Sequence, residues 1–89
     1  MTVIWYASSH KGVVVVDKDY VYPEVGEALR KAREDAGMSQ DQLAENSGIS
    51  RITISRIEQA HINPSFRSLE ALAQGMGRKL TISFDALDE

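Results

Sequence analysis

Two short helical segments that meet at a single glycine constrain this chain more than any other feature of its sequence. Ser39 is a good N-cap for the first segment, which Gly48 ends, and Ser50 caps the second. The apolar residues that face inward from the two segments are Leu43, Ala44, Ile54 and Ile57. Because glycine adopts positive φ without strain, the pattern predicts a sharp turn at Gly48 between two packed helices.

Helical periodicity also appears on both sides of this pair. A first helix is predicted from Glu24 to Ala36 and ends at Gly37, and a fourth begins after Pro64-Ser65 and ends at Gly77. Their predicted inward residues are Val25, Ala28, Leu29, Ala32, Ala36, Leu69, Leu72, Ala73 and Met76. We therefore expect a four-helix domain over residues 24 to 77.

The first 23 residues are rich in residue types that favour strands. Thr2 to Tyr6 and Val13 to Val16 flank a turn at residues 8 to 12, and Tyr20 to Tyr22 precedes Pro23. An N-terminal hairpin is the expected structure, and a flexible arm is the alternative. Four successive valines do not alternate with polar residues, so this segment needs cover on both faces or another strand as a partner.

Residues 78 to 89 form a tail in which the periodicity changes again. Lys79 to Phe84 alternates polar and apolar residues, which predicts a half-buried strand with Leu80, Ile82 and Phe84 on one face. A lone strand cannot pair with itself, so it needs the N-terminal strands or the same strand of a second protomer. The expected fold is mainly α, with a four-helix domain, a dimerising C-terminal β-strand and a β-rich N-terminal segment.

Length and composition exclude several classes of protein. At 89 residues the chain is one small domain that dimerisation would help to stabilise. It has no cysteine, so neither a disulfide framework nor a thiolate metal site is possible. The apolar run Val3 to Ala7 is too short for a signal peptide or a membrane span. We expect a cytoplasmic protein with no membrane partner.

The chain offers no arrangement typical of catalysis. His10 and His61 are far apart, and neither has an acid or a nucleophile at the spacing of a catalytic triad or a metal site. Gly75-Met76-Gly77 ends a predicted helix, whereas a phosphate-binding glycine loop opens one. We therefore expect neither enzymatic activity nor a metal or cofactor.

Charge is distributed unevenly along the sequence. The net charge of -3 argues against a nucleic-acid partner, because cationic side chains supply most of the affinity for phosphates. Between residues 50 and 67, however, Glu58 is the only acid. The cations of this stretch are Arg51, Arg56 and Arg67, with His61 able to join them. One basic face on an acidic body fits DNA on one side and a basic protein on the other.

Residues 25 to 77 resemble the helix-turn-helix of the Xre and phage-repressor family. The matching residues are Leu29, Arg33, Gly37, Ser39-Gln40, Leu43-Ala44, Gly48-Ile49-Ser50, Ile54, Ile57-Glu58, Pro64-Ser65, Leu69 and Ala73. This resemblance implies a lambda-repressor-like domain whose third helix lies in the major groove of DNA. The tail from Arg78 to Phe84 resembles the dimerising strand of HipB-type antitoxins, which implies a toxin protein as a further partner.

The resemblance also implies which residues bind DNA. They are Gln40, Ser50, Arg51, Ile52, Thr53, Ser55, Arg56, Asn63 and Arg67. Arg51 would pair with guanine or contact only phosphate, and Ile52 would meet a thymine methyl group or be an ordinary exposed apolar residue. Gln40 would bind a phosphate or be merely solvated. In the same family, residues at the positions of Arg33 and Glu58 join two helices inside the domain, so we exclude this pair from the site.

Together these inferences predict a homodimeric transcriptional repressor that reads a pseudo-palindromic operator in double-stranded DNA. A toxin-binding antitoxin that represses its own operon is the form we favour. A stand-alone phage or chromosomal regulator is one alternative. A protein-interaction module that has kept the fold without DNA binding is the other.

Overall fold

The structure is a computed structural model that describes residues 2–6, 13–17 and 20–87, with side chains from Tyr20 onward. Its elements, in chain order, are β1 (Thr2–Tyr6), β2 (Val13–Asp17), α1 (Pro23–Asp35), α2 (Gln40–Ser47), α3 (Arg51–Glu58) and α4 (Phe66–Gly75). The helices match the predicted positions to within a residue or two. The predicted four-helix domain is therefore confirmed.

Serine side chains fix the starts of three helices. Ser39, Ser50 and Ser65 each accept a hydrogen bond from the backbone N–H three residues later, and the donor–acceptor distances are 3.0, 3.1 and 3.1 Å. At Ser39 the side chain of Gln42 bonds back to the backbone N–H of the cap, which completes a capping box. The beginnings of α2, α3 and α4 are thus set locally by sequence.

The predicted turn at Gly48 is confirmed. Gly48 ends α2 with φ of 77°, in the left-handed region where a side chain would be strained. Its backbone N–H bonds to the carbonyl of Ala44 at 3.0 Å and closes the last turn of α2. α3 can therefore begin in a new direction at Arg51, only three residues later.

The core lies between α2 and α3 and is closed by α1 and α4. Its completely buried side chains are Leu43, Ile54, Ile57 and Leu72, with Leu29 and Ala73 beside them. Gly26 of α1 lies against the carbonyl of Ile57, and a Cβ atom at Gly26 would overlap that oxygen. The backbones of α1 and α3 therefore pack in direct contact.

Part of the predicted core is open to solvent. Ala28 was expected to face inward but is exposed, and Val25, Ala32, Leu69 and Met76 are only half-buried. These residues line an open groove of about 410 Å³ between α1, α4 and residues 78–81. The reason is geometric, because no further element of the described chain covers this side of α1 and α4.

The backbones of β1 and β2 pair in antiparallel fashion, with Thr2 opposite Asp17 and Tyr6 opposite Val13. The predicted turn at residues 8 to 12 and the side chains of both strands lie outside the described part of the chain. An N-terminal hairpin with its turn at residues 8 to 12 therefore stays a prediction. Tyr20 to Tyr22, which was predicted to continue the β-rich stretch, has no regular structure.

The predicted C-terminal strand is not present. Residues 78–87 contain neither helix nor strand, and Ile82 and Phe84 are 61% and 99% exposed. A strand forms only when its backbone groups pair with a neighbour, and none lies beside this tail in the described single chain. The alternation of polar and apolar residues therefore does not produce a strand by itself.

Candidate nucleic-acid interface

α3 separates side chains that hold the fold from side chains that face solvent. Ile54 and Ile57 point into the core, whereas Arg51 and Arg56 are exposed and Ile52 is 64% exposed. The exposed residues are three of those predicted to meet DNA. A helix with this division can enter a groove without giving up its packing against the domain.

The hydroxyl groups of α3 are engaged within the helix. Ser50 Oγ accepts from the backbone N–H of Thr53 and donates to Thr53 Oγ1 at 2.9 Å. Ser55 Oγ accepts from the side-chain amide of Gln59 at 3.0 Å. These contacts stabilise both ends of α3, and the DNA contacts of Ser50, Thr53 and Ser55 stay predictions.

Arg33 and Glu58 form the interhelical pair that the sequence predicted. Arg33 Nε and Nη2 donate to Glu58 Oε2 and Oε1 at 2.7 and 2.9 Å, and Nη1 donates to the carbonyl of Met38 at 2.8 Å. The two side chains are only 11% and 4% exposed. The single acid of the basic stretch is therefore turned inward and neutralised, so α3 itself presents no carboxylate to solvent.

The surroundings of Glu58 lower its pKa. Burial raises the pKa of this carboxyl, but hydrogen bonds from Arg33 and Gln40 and the charge of Arg33 together lower it below the ordinary value. The hydrogen bond to Glu58 is likewise the main cause that raises the pKa of Arg33. Both groups are therefore charged at neutral pH.

Gln40 connects the start of α2 to the end of α3. Its Nε2 donates to Glu58 Oε1 at 3.1 Å, and the residue is half-buried. A solvated glutamine, the alternative for this position, does not describe this environment. The predicted phosphate contact is untested, but the position of Gln40 is now tied to the Arg33–Glu58 pair.

Asn63 is bonded to the linker before α1, and its predicted phosphate contact stays a prediction. Its Oδ1 accepts from the backbone N–H of Tyr22 at 3.1 Å, and its Nδ2 donates to the carbonyl of Tyr20 at 2.7 Å. Tyr20 and Tyr22 also pack edge to face, with ring centroids 4.9 Å apart. Because both ends of the amide are occupied, Asn63 holds the linker before α1.

Comparison with known proteins identifies the family. The helix-turn-helix family HTH_3 matches residues 29–82, which is more than half of the chain. The chain belongs to this helix-turn-helix family. The resemblance to Xre and phage repressors is thereby confirmed, whereas the finer resemblance to HipB-type antitoxins is not shown.

Relatives of this helix-turn-helix protein are named as regulators. An uncharacterized HTH-type transcriptional regulator of Methanothermobacter thermautotrophicus is 33% identical over 61 residues, which cover 68% of this chain and 88% of that protein. The immunity repressor protein of Bacillus phage phi105 is 38% identical over 53 residues, which cover 60% of this chain and only 37% of that protein. The chain thus spans most of the first relative and well under half of the second.

Solved structures agree with the fold of this helix-turn-helix protein. The restriction-modification controller protein C.Esp1396I, solved as a tetramer in complex with its natural 35 base-pair operator, superposes with a TM-score of 0.62. The two chains are 33% identical, and the match covers 64% of this chain and 75% of that one. The four-helix arrangement is therefore shared with a controller protein that was solved in complex with its operator.

One charged neighbour of Arg51 in this helix-turn-helix protein was not predicted from the sequence. Asp41 Oδ1 lies 3.2 Å from Arg51 Nε, so a carboxylate accompanies the arginine predicted to read bases. The available signal was an acid in the first turn of α2 and a cation at the start of α3. Their contact depends on the angle between the two helices, which sequence spacing does not give.

The remaining predicted DNA contact, Arg67, is exposed in the first turn of α4. Phe66, one residue earlier, is 68% exposed and was not predicted to be so. Among the described residues no group of His, Cys, Asp or Glu is arranged to bind a metal ion. Within the same residues, each helix is too short or too polar to span a bilayer.

Proposed function

We propose that this helix-turn-helix protein binds a specific sequence of double-stranded DNA through the outer face of α3 and represses transcription there. The proposal rests on which side chains α3 presents to solvent. Arg51, Ile52 and Arg56 are exposed, while Glu58, the acid that α3 itself carries, is neutralised by Arg33. Guanidinium groups and an apolar side chain on one helix face match guanine edges, thymine methyl groups and phosphates.

Selection from random duplex DNA tests this function and needs no operator sequence at the outset. The wild-type protein is expected to enrich one sequence, with binding that weakens steeply as salt rises. Arg51→Ala or Arg56→Ala should weaken binding to the enriched duplex by about 5- to 150-fold, the range of a bidentate base contact of about 1 to 3 kcal/mol.

Lys31→Ala serves as the matched control, because it removes a cation from α1 whose side chain is 78% exposed. It should change binding far less than the α3 variants. Equal binding by wild type and both α3 variants would rule out α3 as the reading element. A reporter gene placed downstream of the enriched sequence then shows whether the bound protein represses or activates transcription.

We further propose that the protein binds its operator as a homodimer held by the apolar residues of the tail. Leu80 lines the groove between α1 and α4, and Ile82 and Phe84 are exposed beyond it. The operator complex of C.Esp1396I, in which that protein is a tetramer, supports a multimeric mode of binding. A second copy that covers both features would bury apolar surface that a monomer leaves in water.

Two isoleucines of nearly equal exposure provide a sharp test of the dimer. Ile82, at 61% exposed, lies on the tail, and Ile52, at 64% exposed, lies on α3. Ile82→Ser should shift sedimentation towards the monomer, whereas Ile52→Ser should leave the dimer intact and weaken only DNA binding. An Ile82→Ser protein that sediments like the wild type would refute the tail as the interface.

Control by a toxin is a separate proposal that rests on the acidic surface of α1 and α2. Its exposed carboxylates are Glu24, Glu27, Glu34, Asp35, Asp41 and Glu45. Such a surface suits a basic partner protein. Purification from the native host should yield a stoichiometric partner that arrests growth when produced alone, and Glu34→Gln with Asp35→Asn should weaken its binding. If no stoichiometric partner is recovered, a stand-alone regulator is the better description.

A further inference from the structure

Asp41 and Arg51 join the starts of α2 and α3 on the outer face of the domain. Arg51 Nε lies 3.2 Å from Asp41 Oδ1, and the side chains are 60% and 79% exposed. Arg51 is the first residue of α3, where the helix dipole disfavours a cation. The negative charge of Asp41 offsets this unfavourable position of Arg51. Asp41 itself lies in the first turn of α2, where the helix dipole favours an acid.

We propose that Asp41 is a positioning residue that sets the DNA specificity of Arg51. The inference rests on the proposed DNA-binding function and deepens it. Asp41 contacts the guanidinium group at Nε, which leaves Nη1 and Nη2 at the opposite end available for a two-point contact with guanine O6 and N7. The ion pair thereby favours this orientation of the arginine over others before DNA arrives.

The charge of Asp41 affects all DNA, whereas its contact with Arg51 affects only the operator. A carboxylate beside the reading helix repels the phosphates of any DNA, so this repulsion lowers both affinities alike. The orientation of Arg51 restores affinity only for a duplex that offers guanine at the correct position. Asp41 therefore lowers binding to random DNA more than binding to the operator.

Loss of Asp41 should change DNA binding and not the stability of the fold. Exposed ion pairs contribute little to the free energy of unfolding, so loss of Asp41 leaves the domain intact. An arginine without this partner samples more side-chain conformations and must be ordered when it meets a base. The quantity to measure is thus the ratio of affinities for specific and random DNA.

The experiment compares Asp41→Ala with Asp35→Ala on two duplexes. One duplex carries the sequence that the wild type enriches from random DNA, and the other has the same composition in scrambled order. Asp35 is a matched control, because it is an exposed carboxylate on α1 that pairs with Lys31 at 3.7 Å. Each variant removes one negative charge and one exposed ion pair.

Asp41→Ala should bind the scrambled duplex more tightly and lose at least about fivefold in the ratio of affinities, the lower end of what a bidentate base contact provides. Asp35→Ala should keep the wild-type ratio. In an Arg51→Ala background, Asp41→Ala should no longer reduce the ratio of affinities, because the residue that it positions is absent. Thermal unfolding of each variant checks that the fold is unchanged.

An unchanged ratio in Asp41→Ala overturns the inference, as does a loss that persists without Arg51. A higher ratio overturns it too, since that result would mean that Asp41 competes with DNA for the guanidinium group. These outcomes differ from failure of the proposed function, in which the wild-type protein enriches no sequence at all and both proposals fall.

Discussion

Arg33 and Glu58 are joined by two hydrogen bonds of 2.7 and 2.9 Å that fasten α1 to the end of α3. Gln40 donates to the same carboxylate from the first turn of α2. Three helices thus meet at one shielded anion. The position of α3 relative to α1 and α2 depends on this contact as well as on the apolar core.

Loss of Glu58 should destabilise the domain strongly. Glu58→Ala leaves the guanidinium group of Arg33, which is 11% exposed, without its partner. We expect a decrease of about 3 to 5 kcal/mol in the free energy of unfolding, measured with urea. Asp35→Ala, which breaks the exposed pair with Lys31, should cost less than about 1 kcal/mol. Similar losses in both variants would contradict a structural role for the buried pair.

The same carboxylate should make stability depend on pH. Because folding lowers the pKa of Glu58 below its ordinary value of 4.5, its stabilising effect is complete above that pH. The effect is lost as the pH falls from there through the pKa of the folded state. The difference in unfolding free energy between wild type and Glu58→Gln should therefore be constant near neutrality and shrink in acid. A difference that stays constant down to the acid transition would exclude this linkage.

Gly26 should not tolerate a methyl group. A Cβ atom there would overlap the carbonyl oxygen of Ile57, so α1 would have to move away from α3. Gly26→Ala should cost about 1 to 3 kcal/mol in unfolding experiments, although the same change in an exposed helix stabilises. Glu27→Ala, at the next and exposed position of α1, should change stability by less than about 0.5 kcal/mol. A more stable Gly26→Ala protein would disprove the backbone contact.

Asn63 should protect the backbone of the linker before α1 from hydrogen exchange. In Asn63→Ala the backbone N–H of Tyr22 loses its acceptor, so its hydrogen exchange should accelerate in NMR measurements. Asn46→Ala removes another asparagine, which donates to the carbonyl of Gly75, and should leave Tyr22 unaffected. The salt dependence of DNA binding should be the same with and without Asn63. A smaller salt slope in Asn63→Ala would instead support the phosphate contact predicted from the sequence.

Local chemistry made the helices predictable, since the serine caps and Gly48 act within a few residues. The Arg33–Glu58 pair was predictable only through family resemblance, because its members are 25 positions apart. Nothing in the sequence predicted that Asn63 bonds to Tyr22 and Tyr20, which lie 41 and 43 positions before it. Likewise, an alternating tail specifies which side chains share a face but not whether a neighbouring strand exists.

The division of α3 into a buried and an exposed side has a consequence for how this protein can change over time. Ile54, Ile57 and Glu58 hold the helix, whereas the exposed Arg51, Ile52 and Arg56 contribute little to its packing. Substitutions at the exposed positions therefore cost little folding free energy. Under the proposed DNA-binding function, a lineage can acquire a new target sequence by changing these few side chains, while the scaffold that presents them is inherited intact.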